Sequence, residues 1–551
     1  MQTSVLKLNP TDNVLVALTA LHKGDRIGFA SEDYTLLSDV PAKHKFLTRD
    51  VQPGDEIRMY GLLVGVASQP IQRGDLLSTK NIRHAAADFH SGVRTSKWNA
   101  PDISKWKDRT FQGYHRRDGQ VGARNHWLVI PLVFCENRNL AVLKQAFEEE
   151  LGFAVPQVYR RQVAEMARLY REGKAAELKD FQYSPRSGND AGASPKLFRN
   201  IDGIKFLTHE SGCGCTREDG RNLAGIFAGY IHNPNVAGAT ILSLGCQHTQ
   251  VTMLKEELKK RDPNFSKPLL VFEQQQIGEE SRMMSQAIRE TFLGLVEADR
   301  MQRRPAPLSK LRVGLKCGGS DGFSGISANP AIGHTADLIA ALGGSTLLSE
   351  FPELSGVEQE LINRCVSENV ADKYMRLTRD YVARAKAVHA SFEMNPSPGN
   401  VRDGLLTDAM KSAGAAKKGG TSPVTGALDY PEYCTGPGLH LLCTPGSDLE
   451  AVSAQAGAGA NVVLFTTGLG TPTGNAVAPV IKLSTNSELA ARMPDIIDID
   501  TGSIIAGETS IEQMGERVLD EIIRVASGES YTKAERLKQD DFMPWKRGVS
   551  L

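Results

Sequence analysis

Residues Leu311–Gly322 read LRVGLKCGGSDG. A largely apolar stretch, Leu311–Leu315, interrupted by Arg312 and Gly314, leads into Lys316, Cys317, Ser320 and Asp321, set among glycines. A short continuous apolar run bounded by glycine reads as a strand buried on both faces, which is the habit of parallel sheet. The same grammar recurs three times. Ile204–Leu207 runs into His209-Glu210-Ser211-Gly212-Cys213-Gly214-Cys215, Thr240–Leu244 into Gly245-Cys246-Gln247-His248, and Val462–Phe465 leads on into Gly468–Asn475. Leu128–Phe134, Leu269–Phe272 and Thr346–Leu348 are further strand candidates, and helical periodicity at Asn222–Ile231, Thr252–Lys260 and Gly278–Val296 alternates with them. Strands alternating with helices predict α/β layers with mostly parallel sheet. In such folds ligands bind outside the carboxyl ends of the strands, so four polar, Gly-rich strand ends predict a site for a polar, anionic small molecule.

Upstream the pattern changes. Lys23-Gly24-Asp25, Pro53-Gly54-Asp55 and Arg73-Gly74-Asp75 punctuate short β-type runs, which predicts a small all-β module over 1–90. Residues 91–110, with Trp98 and Trp106, read as a linker that packs on a neighbour. The remainder divides at Arg303–Pro307 into two α/β domains, 111–305 and 306–551. Residues 184–195 read as an exposed loop, and the Gly/Ser/Lys-rich 396–426 as a mobile loop over a site.

Composition narrows the function. Lys+Arg and Asp+Glu both number 64, so no basic field for nucleic acid exists. Val14–Leu21, the longest apolar stretch near the start, is too short to span a bilayer. Eight cysteines in 551 residues are far too few for a disulfide scaffold. The expectation is a cytoplasmic protein with reduced thiols, a small-molecule substrate and no nucleic-acid or membrane partner; assembly into a homo-oligomer stays open.

Single features carry less. Cys213-Gly214-Cys215 lacks zinc-finger spacing, Cys246 and Cys317 each read as small buried hydrophobes, and no Gly-Lys-Ser/Thr completes a P-loop at 317–322. The Lys411–Lys418 run reads as a solvated loop.

Taken together, Gly113–Asn125 (GYHRRDGQVGARN), Ser243–Gln247 (SLGCQ), Gly314–Pro330 (GLKCGGSDGFSGISANP), Asn395–Asn400 (NPSPGN), Phe465–Gly474 (FTTGLGTPTG) and Ser484–Leu489 (STNSEL) resemble the altronate/galactarate dehydratase family. The N-terminal module resembles that family's SAF-type β-clip domain, with Ala42-Lys43-His44-Lys45-Phe46 at its Gly-His-Lys position. The ending Trp545–Val549 leans toward the altronate branch. The resemblance implies removal of water from D-altronate to give 2-keto-3-deoxy-D-gluconate, assisted by a divalent metal, iron(II) or manganese(II). It suggests His44, His209 and Cys213 as metal ligands and Lys45, Lys316, Asp321 and His209 as catalytic groups. Arg124, Asn125, Ser320, Asn329 and Thr471 are its substrate-binding candidates. One departure stands out: Ala415 follows Gly414 where the family carries Cys. Galactarate dehydration, sulfolactate lysis, an iron–sulfur dehydratase using Cys213, Cys215, Cys246 and Cys317, and a non-catalytic sugar-acid sensor remain alternatives. Lys316 is expected either to pair with Asp321 or to meet substrate, because an unpaired ammonium at the end of a buried strand is costly.

Overall fold

A computed structural model describes residues 4–91, 97–154, 158–182 and 195–551. The strand ends identified above become the organising feature of two parallel sheets. The smaller has the order Gly203–Phe206, His126–Pro131, Val236–Ser243, Leu269–Glu273. The larger has seven strands in the order Val424–Leu428, Gly438–Leu442, Ser345–Leu348, Arg312–Cys317, Val462–Thr467, Val480–Ser484, Ile499–Asp500. All its pairs are parallel. The chain enters at Arg312–Cys317, builds one side, then crosses to Val462–Thr467 and builds the other. The point of reversal lies between those two strands, and a crevice opens there for steric reasons.

The strands are buried on both faces, as their unbroken apolar runs require: Val462–Thr467 has no exposed residue. Helix Arg217–His232, capped by the Thr216 side chain, fills the core shared by the two sheets. Strand Arg304–Pro307, at the expected domain boundary, pairs antiparallel with Thr110–His115 and clamps the two halves. Trp106 of the linker is buried and donates to Asp520 at 3.0 Å.

The N-terminal region is all-β, and its three Gly-Asp turns are alike. Gly24, Gly54 and Gly74 have φ of 89°, 92° and 84°, a conformation other L residues rarely adopt. Val14, Val16, Leu47, Ile57 and Met59 of this module share one core with Phe323, Leu348, Phe351 and Met410. The module is therefore packed into the C-terminal half, not tethered beside it.

One expectation is corrected here. The segment 396–426 is no mobile loop: it forms helices Pro398–Arg402 and Asp408–Ala416, the second wholly buried. Small residues let that helix approach the N-terminal module closely, so composition suggesting a loop encodes tight packing. The loop expected over 184–195 lies almost entirely outside the described residues. Among the described residues, no helix is long and apolar enough to cross a membrane.

Candidate active site at the seam between the N-terminal module and the large sheet

Lys316 is the penultimate residue of strand Arg312–Cys317, and its side chain is fully buried. It does not pair with Asp321. It meets Glu350, which follows the neighbouring strand Ser345–Leu348, and reaches Asp448 at 3.0 Å and the Gly446 carbonyl at 3.3 Å. Glu350 also accepts from Lys418 at 2.8 Å. Lys418 donates to the Cys317 sulfur at 2.9 Å, and the Cys317 thiol approaches Glu353 at 3.3 Å. Lys411 closes the set, at 2.8 Å from Glu353. Three ammonium groups and three carboxylates are thus gathered around one thiol.

The electrostatics follow from that geometry. Burial pulls Lys316 down, but Glu350, Asp448 and Glu353 more than reverse this and hold it above its ordinary value. Lys418 is likewise raised, burial being outweighed by Cys317, Glu350 and Glu353. Burial alone would raise Glu353, yet Lys411, Lys316 and Lys418 bring it to about 2. Burial pushes the Cys317 thiol up to about 11, so it stays protonated at neutral pH. Asp408, on the same helix as Lys411, is pushed to about 8 by burial and by the Glu353 charge.

The N-terminal module supplies the other wall. Lys43 pairs with Asp321 at 3.0 Å and Asp403 at 3.3 Å. Lys45, fully buried, donates to the Gly404 carbonyl at 2.6 Å and the Lys43 carbonyl at 2.9 Å. Burial lowers its ammonium to about 7, with Asp321 only partly restoring it. Glycines make this approach possible: a Cβ on Gly322 would lie 2.4 Å from the Lys43 carbonyl oxygen, and one on Gly325 2.2 Å from the Tyr60 hydroxyl. Lys43 and Glu350, facing the seam from opposite sides, both hold φ of 75°. Such strain persists where surrounding contacts enforce it, commonly at functional sites.

Asp321 accepts from Thr485 at 3.0 Å and from Asn486 at 3.3 Å, so it binds the large sheet to the module. The loop carrying it touches the loop after Val462–Thr467, where the Gly468 and Leu469 N–H groups both donate to the Gly319 carbonyl at 2.9 Å. Ser320 lies between, buried, with a hydroxyl that has no protein partner. The side-chain amide nitrogen of Asn395 is also unpartnered, although its oxygen accepts from Lys411 at 2.8 Å. Thr471 is half-buried on the same rim, 3.1 Å from the Thr473 hydroxyl.

Other candidates are corrected by their surroundings. Arg124 and Asn125 precede strand His126–Pro131, at the amino end of the small sheet, away from both carboxyl edges. The Arg124 guanidinium is saturated by Glu535 at 2.7 Å and by the Ala123 and Val525 carbonyls. Asn125 serves the carbonyls of Asn200 and Ala298. Asn329 is also fully engaged, accepting from Thr466 at 2.6 Å and donating to the Gly414 carbonyl at 3.0 Å. Gly414 packs against Gly325 and the Tyr60 hydroxyl, with Ala415 buried beside it.

The expected metal ligands do not converge. His44 spends Nε2 on the Arg402 carbonyl at 3.0 Å. His209 donates from Nε2 to the Pro131 carbonyl at 2.7 Å and accepts at Nδ1 from the Ser211 N–H at 3.0 Å. No lone pair is left for a metal, and burial lowers its basicity to about 4, so neither metal binding nor base catalysis suits it. Cys213 belongs to the small sheet. The four-cysteine set is split likewise: Cys317 lies in the buried network, while Cys213 and Cys246 are exposed at the other sheet. Cys317, Glu350 and Glu353 do offer donor atoms within 4.8 Å of one another. Lys316, Lys411 and Lys418 already neutralise them, so the set does not fit a divalent cation.

Sequence reasoning missed Glu350, Glu353, Lys411, Lys418 and Asp408. The first two followed a recognised strand and could have been read as strand-end chemistry. Lys411 lies in helix Asp408–Ala416 and Lys418 in the short turn Lys417–Gly419 that follows it, so no single periodicity links them.

Comparison with known proteins covers the whole chain. Residues 3–85 match the family described as altronate/galactarate dehydratase SAF domain. Residues 113–299 match D-galactarate dehydratase/altronate hydrolase, second domain, and 308–550 match D-galactarate/altronate dehydratase, C-terminal. Altronate dehydratase of Bacillus subtilis (strain 168) is 33% identical over 100% of both chains. Altronate dehydratase of Escherichia coli (strain K12) is 33% identical over 99% of both. Galactarate dehydratase (L-threo-forming) of Escherichia coli (strain K12) is 29% identical over 96% of this chain and 94% of that one.

Proposed function

The chain belongs to the altronate/galactarate dehydratase family, a sugar-acid hydro-lyase, and we propose that it removes water from D-altronate to give 2-keto-3-deoxy-D-gluconate at the seam. The observation that carries the reading is the buried lysine–carboxylate network at the reversal point of the large sheet, closed over by Lys43 and Lys45.

The C2 proton of an aldonate is weakly acidic, because the adjoining carboxylate is already an anion. Loss of that proton builds a second negative charge, which fixed ammonium groups in a water-poor site stabilise strongly. Lys316 and Lys418 are such groups. Asp448 is the partner of Lys316 that keeps some exposure, at 27%, and is the one a substrate carboxylate displaces. Lys45, with an acidity near 7, is neutral often enough at physiological pH to take the C2 proton. Asp408 still holds its proton at neutral pH and can deliver it to the departing C3 hydroxyl. The Ser320 hydroxyl and the Asn395 amide, both without protein partners, suit the sugar hydroxyls. The enol then ketonises. Entry of substrate calls for the N-terminal module to lift, and its return excludes water.

Among the described residues, the divalent ion implied by the family has no fitting donor set at this seam, and no step above passes through one. The test is a panel of D-altronate, galactarate and sulfolactate with the full-length protein, read by formation of a 2-keto-3-deoxy acid. D-altronate is expected to give the highest kcat/KM, rising with pH through about 7 as Lys45 loses its proton. Preference for galactarate, or no keto acid from any of them, would overturn the assignment.

A further inference from the structure

Among the described residues, the buried lysines are Lys45, Lys205, Lys316, Lys411, Lys418 and Lys482. An ammonium carries three donors and a full charge, so burying one is costly unless partners meet it. Lys205, Lys316, Lys411 and Lys418 each meet a carboxylate, and Lys45 meets two carbonyls. Lys482 is the exception. Its ammonium donates to the Thr473 carbonyl and lies 5.3 Å from the centre of the Phe465 ring, with no ion pair among the described residues.

The carboxylates that act on Lys482, namely Asp448, Asp498 and Asp541, are each engaged elsewhere. Asp448 pairs with Lys316 at 3.0 Å, and Asp541 accepts from the Gly474 N–H at 2.8 Å. Asp498 accepts from the backbone N–H groups of Lys482 and Lys533, at 2.7 and 2.8 Å. Burial therefore wins and lowers the ammonium to about 8, which leaves it charged at neutral pH. A buried charge whose other donors go unused is a cost that the fold bears for a role beyond stability.

The register locates that role. Lys316 pairs with Phe465 and Phe465 with Lys482, so the three side chains stand in one row on one face of the large sheet. Lys316 and Lys482 flank strand Val462–Thr467 at the reversal point, two strand spacings or roughly 10 Å apart at the backbone. A six-carbon sugar acid is about that long from its carboxylate to its last hydroxyl. The loop after Val462–Thr467 returns to this row, since Lys482 holds the Thr473 carbonyl, and the Thr473 hydroxyl lies 3.1 Å from that of half-buried Thr471 on the rim. Charge narrows the ligand further. With Asp498 and Asp541 beside a single ammonium, the surroundings of Lys482 are net negative, which admits hydroxyl groups and repels a second carboxylate.

We propose that Lys482 is a specificity residue that donates to the C5 and C6 hydroxyls of a six-carbon aldonate whose carboxylate is held at Lys316. It thereby favours long monocarboxylates over short ones and over dicarboxylates. The substrate class rests on the dehydratase reading above.

Calorimetry with the full-length protein compares D-altronate with D-erythronate, a four-carbon aldonate that keeps the reacting carbons and lacks the far end. Lys482→Met is expected to weaken D-altronate binding by at least about tenfold, the scale of one charged hydrogen bond, and to leave D-erythronate binding unchanged. Its melting temperature should match or exceed that of wild type, because an unpaired buried charge is removed. Lys482→Gln, which can still donate to the Thr473 carbonyl, should show the same length-selective loss. Equal losses for both acids, full recovery of D-altronate binding in the Gln variant, or failure of both variants to fold would make Lys482 a structural tie for the loop and overturn the proposal. No loss in either variant, or tighter wild-type binding of galactarate than of D-altronate, would overturn it as well. Keto-acid formation is measured separately. A length-selective loss of binding in protein that dehydrates neither acid counts against the dehydratase reading alone, whereas wild-type protein that binds neither acid overturns both.

Discussion

At the carboxyl edge of the seven-stranded sheet, Lys316, Cys317, Glu350, Glu353, Lys411 and Lys418 are all buried in one another's company; at the corresponding edge of the four-stranded sheet, three thiols stand exposed. The two edges arise from the same sequence grammar, an apolar run ending in glycine and a reactive side chain. What separates them is the cover. The N-terminal module seals the large sheet and leaves its ionisable groups to satisfy each other, whereas among the described residues Cys135, Cys213 and Cys246 stay exposed at the small one. A strand end thus predicts where chemistry lies, and its covering decides which groups meet solvent: charge stabilisation and proton transfer where water is excluded, accessible thiols where it is not.

The largest effect expected is at Lys316. Lys316→Met is predicted to reduce turnover by at least about a hundredfold, the order seen when a charge-stabilising group is lost. It should also destabilise the fold by about 3–5 kcal/mol, because Glu350 keeps only Lys418 and a buried charge goes uncompensated. Adding Glu350→Gln should recover much of the stability, measured by denaturant unfolding, but none of the turnover. Recovery of both would make the network purely structural.

Alkylation of the native protein sharpens the contrast between the edges. Iodoacetamide should label Cys135, Cys213 and Cys246 while Cys317 resists, held protonated and out of solvent. Peptide mass spectrometry after brief exposure reads this directly. Equal labelling of Cys317 would mean that the seam opens freely.

Smaller effects are expected at the rim. Asp448→Asn removes the carboxylate that competes for Lys316 and should lower KM for a sugar acid by about threefold, the scale of one partly exposed ion pair. Thr471→Val should raise KM by a similar factor with kcat nearly unchanged. Changes of kcat instead would move both residues from the rim into the reacting centre.

Much of this organisation was legible in the sequence. The strands ending at Cys317, Thr467 and Ser243 were visible as apolar runs, and the Gly-Asp turns announced the β module. The charged network was not, since every one of its pairs joins residues distant in sequence. Lys316 looked toward Asp321 because that carboxylate is local. In the sheet, however, the side chain at position 316 points across to the loop after Ser345–Leu348, while Asp321 turns back to Lys43 and Thr485. Lys411 and Lys418 resembled a solvated run because periodicity cannot say which face will be covered. Arg124 and His209 carried suggestive identities, and only their saturated hydrogen bonds reveal structural roles.

Lys45 taking the C2 proton inside the closed seam is the step on which the proposed reaction depends most. Conversion of D-altronate carrying deuterium at C2, compared with the protonated sugar in wild type and Lys45→Met, tests it most directly. If Lys45 is the base, the wild-type reaction is slower with the deuterated substrate and a folded Lys45→Met protein turns over at least about a hundredfold more slowly. A Lys45→Met protein that converts D-altronate at the wild-type rate would contradict it.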